Sequence, residues 1–128
     1  MKKLLLLLLL IPNLVMAENV MYCQDELATG IVKKNGVWKS GNFILERHTI
    51  KFNDDYTKSD GFNKTMNCNT PYGLIDKDLI FCISEFQNTT FVYNKITMRY
   101  TYSIISQFSY IKNAKDTSSL GAGSCEAF

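Results

Sequence analysis

One stretch constrains this chain more than any other: residues 89–111, TTFVYNKITMRYTYSIISQFSYI. From Ile96 onward the even positions Ile96, Met98, Tyr100, Tyr102, Ile104, Phe108 and Tyr110 are apolar or aromatic. The intervening Lys95, Thr97, Arg99, Thr101, Ser103, Gln107 and Ser109 are polar, and only Ile105, Ser106 and Ile111 break the alternation. A period of two places one face on a core and the other in water, which is the pattern of a half-buried strand. The run is too long for one ordinary strand, so a bend, bulge or break is expected near residues 103–107.

Other segments read as short strands separated by turn residues. Asn35-Gly36 and Ser40-Gly41-Asn42 are turn signals, and Asn-Gly favours a tight hairpin because both residues tolerate positive φ. Strands are expected over 28–33, 37–39, 43–52, 65–68 and 79–85, the last apolar on both faces around Cys82 and so doubly covered. The polar segment 53–64 has the composition of an exposed connection. A two-residue turn at Asn94-Lys95 would set Tyr93 opposite Ile96 and Phe91 opposite Met98. Residues 24–29 suggest a short turn, and Gly121 and Gly123 a closely approached terminal strand. The fold class is therefore all-β: a small antiparallel barrel or sandwich, a meander of about 7–8 strands.

The first residues supply an address. Lys2 and Lys3, a leucine run over 4–10, Ile11, and then Ala17 before a polar Glu18 have the order of a secretory signal peptide. Cleavage is expected after Ala17, leaving a single domain over 18–128. The apolar run is far shorter than the roughly 20 residues that span a bilayer, and the lysine-then-polyleucine start has a bacterial character. The destination is periplasmic or extracellular, with no membrane association after cleavage. Removing Lys2 and Lys3 leaves 12 basic residues against 12 acidic ones. A neutral domain has no charge excess for a phosphate backbone, so nucleic acid is not an expected partner.

Cys23, Cys68, Cys82 and Cys125 are an even number of cysteines in an exported chain, the signature of two disulfides. Three pairings are open. The preferred one joins Cys68 to Cys82 across a hairpin and Cys23 to Cys125 across the ends of the domain. No CxxC pair is present, which speaks against zinc; no metal or other cofactor is expected.

Three sets of side chains are candidates for function. Phe91, Tyr93, Met98, Tyr100 and Tyr102 would share an inner face, forming either a packed core or the lining of a site for a small apolar ligand. Glu46 and His48, the only histidine, would project from one side of a strand and could transfer a proton, but no nucleophile motif accompanies them. Asp54, Asp55 and Asp60 share a loop without the spacing of a calcium site. Trp38 is a core plug or an interface anchor, the plug being favoured. The sequons at Asn63 and Asn88 are read as chance matches.

Ser40-Gly41-Asn42-Phe43, in an exported all-β chain with disulfides, is similar to the Ser-Gly start of the S-G-x-x-Y loop in the small periplasmic inhibitors of c-type lysozyme. Ile44 stands where that family has tyrosine. The resemblance covers these residues and an architecture; it implies an eight-stranded barrel and illustrates one role, that of an inhibitor. The residues themselves support a non-catalytic binding module: a ligand carrier, inhibitor or adaptor whose partner is a protein or a small apolar ligand. The alternatives are a small secreted hydrolase using Glu46 and His48 or the Asp54–Asp60 loop, and a self-associating envelope structural protein.

Overall fold

The computed structural model describes residues 19–73, 75–86, 88–105 and 117–127. Within them the chain forms nine antiparallel strands: β1 (Asn19–Lys34), β2 (Val37–Asn42), β3 (Arg47–Phe52), β4 (Lys58–Gly61), β5 (Lys64–Asn69), β6 (Leu79–Ser84), β7 (Thr89–Asn94), β8 (Arg99–Ile104) and β9 (Ser118–Ala127). The strand order is β2-β1-β3-β4-β5-β6-β7-β8-β9, and β9 pairs back onto β1. Eight strands thereby close into a barrel and β2 lies outside it as an extra strand, so the all-β meander closes rather than folding as a sandwich. Closure removes sheet edges that would otherwise be open to association.

β1 is long enough to serve two neighbours along one side. Its first part pairs with β3, from Asn19↔Phe52 to Gln24↔Arg47, and its last part pairs with β2, from Thr29↔Asn42 to Lys34↔Val37. Its other side carries β9, with a register shift between Asp25 and Leu27. The segment expected to turn at 24–29 is thus a bulged strand. The bulge moves the inward set from Met21, Cys23 and Asp25 to Ala28, as one extra residue must when the side-chain period is two. The β1–β2 hairpin turns at Asn35 and Gly36, with φ of 51° and 77°.

Two cross-strand disulfides pin the barrel. Cys23 faces Cys125 on β1 and β9, where the barrel closes, and Cys68 faces Cys82 on β5 and β6. Inside, Phe52, Phe91, Tyr93, Ile50, Met66 and Ile80 are fully buried. Tyr100 and Tyr102 lie opposite Gly123 and Gly121. A Cβ on Gly121 would run into the Tyr102 ring, and one on Gly123 into the Gln24 carbonyl. The missing side chains on β9 make room for the phenols of β8.

Several expectations are corrected. The turn between β7 and β8 spans residues 95–98, so Tyr93 pairs with Tyr100 and Phe91 with Tyr102. Asn94 explains the longer turn: its side chain accepts the Ile96 and Thr97 N–H groups at 2.9 and 3.0 Å, and its carbonyl accepts the Met98 N–H at 2.9 Å. An Asn that wraps its own following backbone competes with a tight hairpin. Ile96 is left exposed. β8 ends at Ile104; the expected break over 103–107, with Phe108, Tyr110 and Ile111, falls partly or wholly outside the described residues. The supposed loop over 53–64 contains β4. β3 begins only at Arg47, since residues 43–46 cross from the outlying β2 to the barrel wall. β6 alternates and Ile83 is exposed, because a barrel strand has only one buried face. Trp38 lies outside the core, half-exposed on β2, with the Lys33 ammonium 5.4 Å above its ring.

Candidate functional site

The strongest concentration of polar chemistry is inside the barrel, around a residue that the alternation Met21-Cys23-Asp25 carries inward. Asp25 is 2% exposed, and its carboxylate accepts four hydrogen bonds. Oδ1 takes the Tyr100 hydroxyl at 2.5 Å and His48 Nε2 at 3.1 Å; Oδ2 takes the Glu46 backbone N–H at 3.1 Å and the Tyr102 hydroxyl at 3.2 Å. A carboxylate has about four lone-pair positions, and all are engaged. Burying an acid this deeply is costly unless it is paired and hydrogen-bonded, and here two other strands, β8 and the start of β3, converge to do so.

The phenols respond in kind. Burial, reinforced by the adjacent Asp25, pushes Tyr102 up to about 12 and Tyr100 further upward still. Both remain hydrogen-bond donors at neutral pH. Tyr93, pushed up to about 12 by burial and then by Tyr56, donates instead to the Met98 thioether at 3.0 Å.

His48 reaches inward from β3 with its side chain only 8% exposed. Holding the Asp25 carboxylate through Nε2 puts the ring proton there, and a neutral ring then presents Nδ1 as an acceptor. Every fully buried side-chain N or O among the described residues has a partner. Nδ1 has none among them and is therefore not fully buried. Phe62 covers the other face of the imidazole at 4.6 Å and also meets Tyr102 at 4.8 Å and Phe91 at 5.6 Å. It does so from the β4–β5 turn, where Phe62 and Asn63 both have positive φ, 52° and 57°. A bulky residue in that conformation is strained, and ring burial offsets it.

The cleft lies where β3 and β4 separate. Their register consists of Lys51↔Asp60 and Phe52↔Ser59, after which β4 turns away at Phe62. The opening has a volume of about 740 Å³. Arg47, His48 and Thr49 form one side, and Phe62, Asn63 and Lys64 the other. Lys64 is steadied by Asn88 Oδ1 at 2.8 Å and Thr89 Oγ1 at 2.9 Å. Neither Arg47 nor Lys64 has a carboxylate partner among the described residues. A second groove of about 480 Å³, which includes Asp25, Glu26 and Glu126, shares Arg47, His48 and Thr49 with the first.

Of the residues singled out in the sequence, Phe91, Tyr93, Tyr100 and Tyr102 are brought together on the inner wall, with Met98 half-buried beside Tyr93. Their rings pack on one another and on Phe52, and none of the five lines the two clefts. Glu46 and His48 do not form a pair: Glu46 precedes the strand, is exposed, and contributes its backbone, whereas the acid on His48 is Asp25. Glu46, His48 and Asp60 nonetheless line the same cleft. Asp54 does not line it but a neighbouring groove that shares Lys51, Asp60 and Thr65 with it, and Asp55 is tied to Thr57 through its carboxylate, which lies below its ordinary range for that reason. No group of three or more potential metal ligands occurs among the described residues. Asp25 and Phe62 were missed by sequence reasoning. Asp25 had a signal, an acid in phase with Met21 and Cys23; Phe62 had none, because its role depends on a turn conformation that phenylalanine rarely adopts.

No protein-family model, curated protein or solved structure matches this chain. Ser40, Gly41 and Asn42 end β2, and Ile44 follows with 87% of its surface exposed.

Proposed function

We propose that this protein is a non-catalytic binding module of the periplasm or extracellular space, and that its ligand sits in the cleft beside His48. The observation that carries the reading is the saturation of Asp25: the one buried acid that touches the histidine already accepts four hydrogen bonds. A carboxylate so engaged has no lone pair for proton abstraction, and its tyrosine partners stay protonated. What the network does instead is fix His48 and, through Phe62, the walls of an open cleft. Preorganised walls with a few fixed polar groups suit recognition. The leader-like start and the two disulfides fit an oxidising compartment.

The test is an amide NMR titration of the disulfide-bonded domain with sugars, organic acids, nucleotides and short peptides. Shifts concentrated on residues 47–49 and 61–65 support the reading; a full panel that leaves them unmoved overturns it. The hydrolase alternative rests on Glu46, His48 and Asp60 sharing the cleft. It requires turnover of a chromogenic ester or glycoside that is lost in His48→Gln, and its detection would displace the binding reading.

A further inference from the structure

The cleft is also a gap in the hydrogen-bond ladder. The Glu46 carbonyl points toward β1, where it accepts the Asp25 N–H at 3.0 Å. Backbone direction alternates along a strand, so Arg47 and Thr49 point their N–H and C=O groups the other way, toward β4. The Thr49 carbonyl confirms the direction, since a Cβ built on Gly61 of β4 would lie 3.7 Å from it. Yet the β3–β4 register includes only Lys51 and Phe52 of β3. Arg47 and Thr49 therefore turn backbone groups that have no partner in the β3–β4 register toward an open cleft.

We propose that this gap receives an extended, acidic peptide segment of a partner protein, which adds a short strand along β3. The proposal rests on the reading of the cleft as a binding site and names its occupant. Strand addition supplies main-chain hydrogen bonds, and side chains on either side supply selectivity. The charges point to acidic residues: Arg47, Lys51 and Lys64 line the cleft against Glu46 and Asp60, and neither Arg47 nor Lys64 has a carboxylate partner among the described residues. The stretch between Glu26 and Glu46 carries Lys33, Lys34 and Lys39 without a single acid. It folds as the β1–β2 arm at the end of the barrel where β3 begins. Ile44 and Leu45, just before β3, are 87% and 51% exposed and leave apolar surface next to it in the chain.

The experiment uses the full disulfide-bonded domain and three fluorescent peptides of alternating valine and glutamate, of alternating valine and lysine, and of the glutamate type with alternate amides N-methylated. Fluorescence anisotropy should show binding of the glutamate peptide alone. Affinity should fall about tenfold for each main-chain hydrogen bond removed by methylation, and by a similar factor in Arg47→Glu. Hydrogen exchange should slow at the Arg47 and Thr49 amides on binding. Equal binding of the methylated or the lysine peptide, or no protection at those two amides, overturns the proposal. If no peptide binds while small compounds shift the cleft amides, the strand-addition proposal falls and the binding-site reading stands; if neither does so, both fall.

Discussion

Tyr100 on β8 donates its hydroxyl to Asp25 at the bulge of β1 over 2.5 Å, spanning β9, which lies between the two strands in the sheet. The contact ties the strand carrying the clearest sequence pattern to the residue that orients the only histidine. Gly123 makes it possible: it is the residue opposite Tyr100 on β9, and its lack of a side chain lets the phenol lie across that strand.

Removing the acid should be severe. Asp25→Ala leaves the Tyr100 and Tyr102 hydroxyls, His48 Nε2 and the Glu46 N–H without their acceptor. Each buried orphan costs about 1–3 kcal/mol, so a loss of at least 3 kcal/mol is expected in urea unfolding. Asp25→Asn keeps one acceptor oxygen and should fall between the variant and the parent. Tyr100→Phe should cost about 1–2 kcal/mol.

Stability should decline at high pH. Tyr93 and Tyr102 titrate near 12 in the folded protein and Tyr100 higher, against about 10 in an unfolded chain. Between those values the unfolded state has lost protons that the folded state keeps, so the slope of stability against pH is negative there. Stability from these phenols is fully present below about pH 10 and is lost as pH rises through 12. Alkaline unfolding followed by circular dichroism should coincide with the late part of the ultraviolet signal of tyrosine ionisation, that of Tyr93, Tyr100 and Tyr102. Ionisation of all the tyrosines completed near pH 10, before unfolding, would contradict the burial.

Gly121 should not tolerate a methyl group. Its Cβ would enter the space of the Tyr102 ring, so Gly121→Ala should destabilise by about 1–3 kcal/mol, the usual cost of overpacking. In a Tyr102→Ala background the same change should cost far less. A double-mutant cycle measures this coupling, and additive effects would show that the ring and the glycine do not compete for space.

The two disulfides should contribute unequally. Cys23–Cys125 closes a sequence separation of 102 and Cys68–Cys82 one of 14. Chain entropy gives between 4 and 5 kcal/mol for a loop of about the first size and about 3 for one of about the second. Replacing Cys23 and Cys125 with serine should therefore lower the denaturation midpoint more than replacing Cys68 and Cys82.

The inward placement of Tyr100 and Tyr102 and the outward placement of Arg99 and Thr101 were legible in the sequence, because alternation is a local property. The 95–98 turn was not, since Asn94 is compatible with a two-residue turn and with the longer one that its side chain stabilises by accepting the Ile96 and Thr97 N–H groups. The Asp-rich connection hid β4 because only Ser59 of that strand is buried and its partners lie on both sides. Asp25 was in phase with Met21 and Cys23, but phase alone does not reveal which donors will arrive from β3 and β8.

What the sequence determined by itself was the β character of the chain, the face each residue of the tyrosine-rich strands would turn inward, and a cysteine count suited to two bridges. These follow from short-range periodicity and from covalent chemistry. Tertiary structure decided that the meander closes, that β9 rather than β2 seals β1, and that Asp25, His48, Tyr100 and Phe62 meet beside an unpaired stretch of β3. Those outcomes depend on register between strands far apart in the chain, and register is set by how distant side chains fit together, which no local pattern encodes.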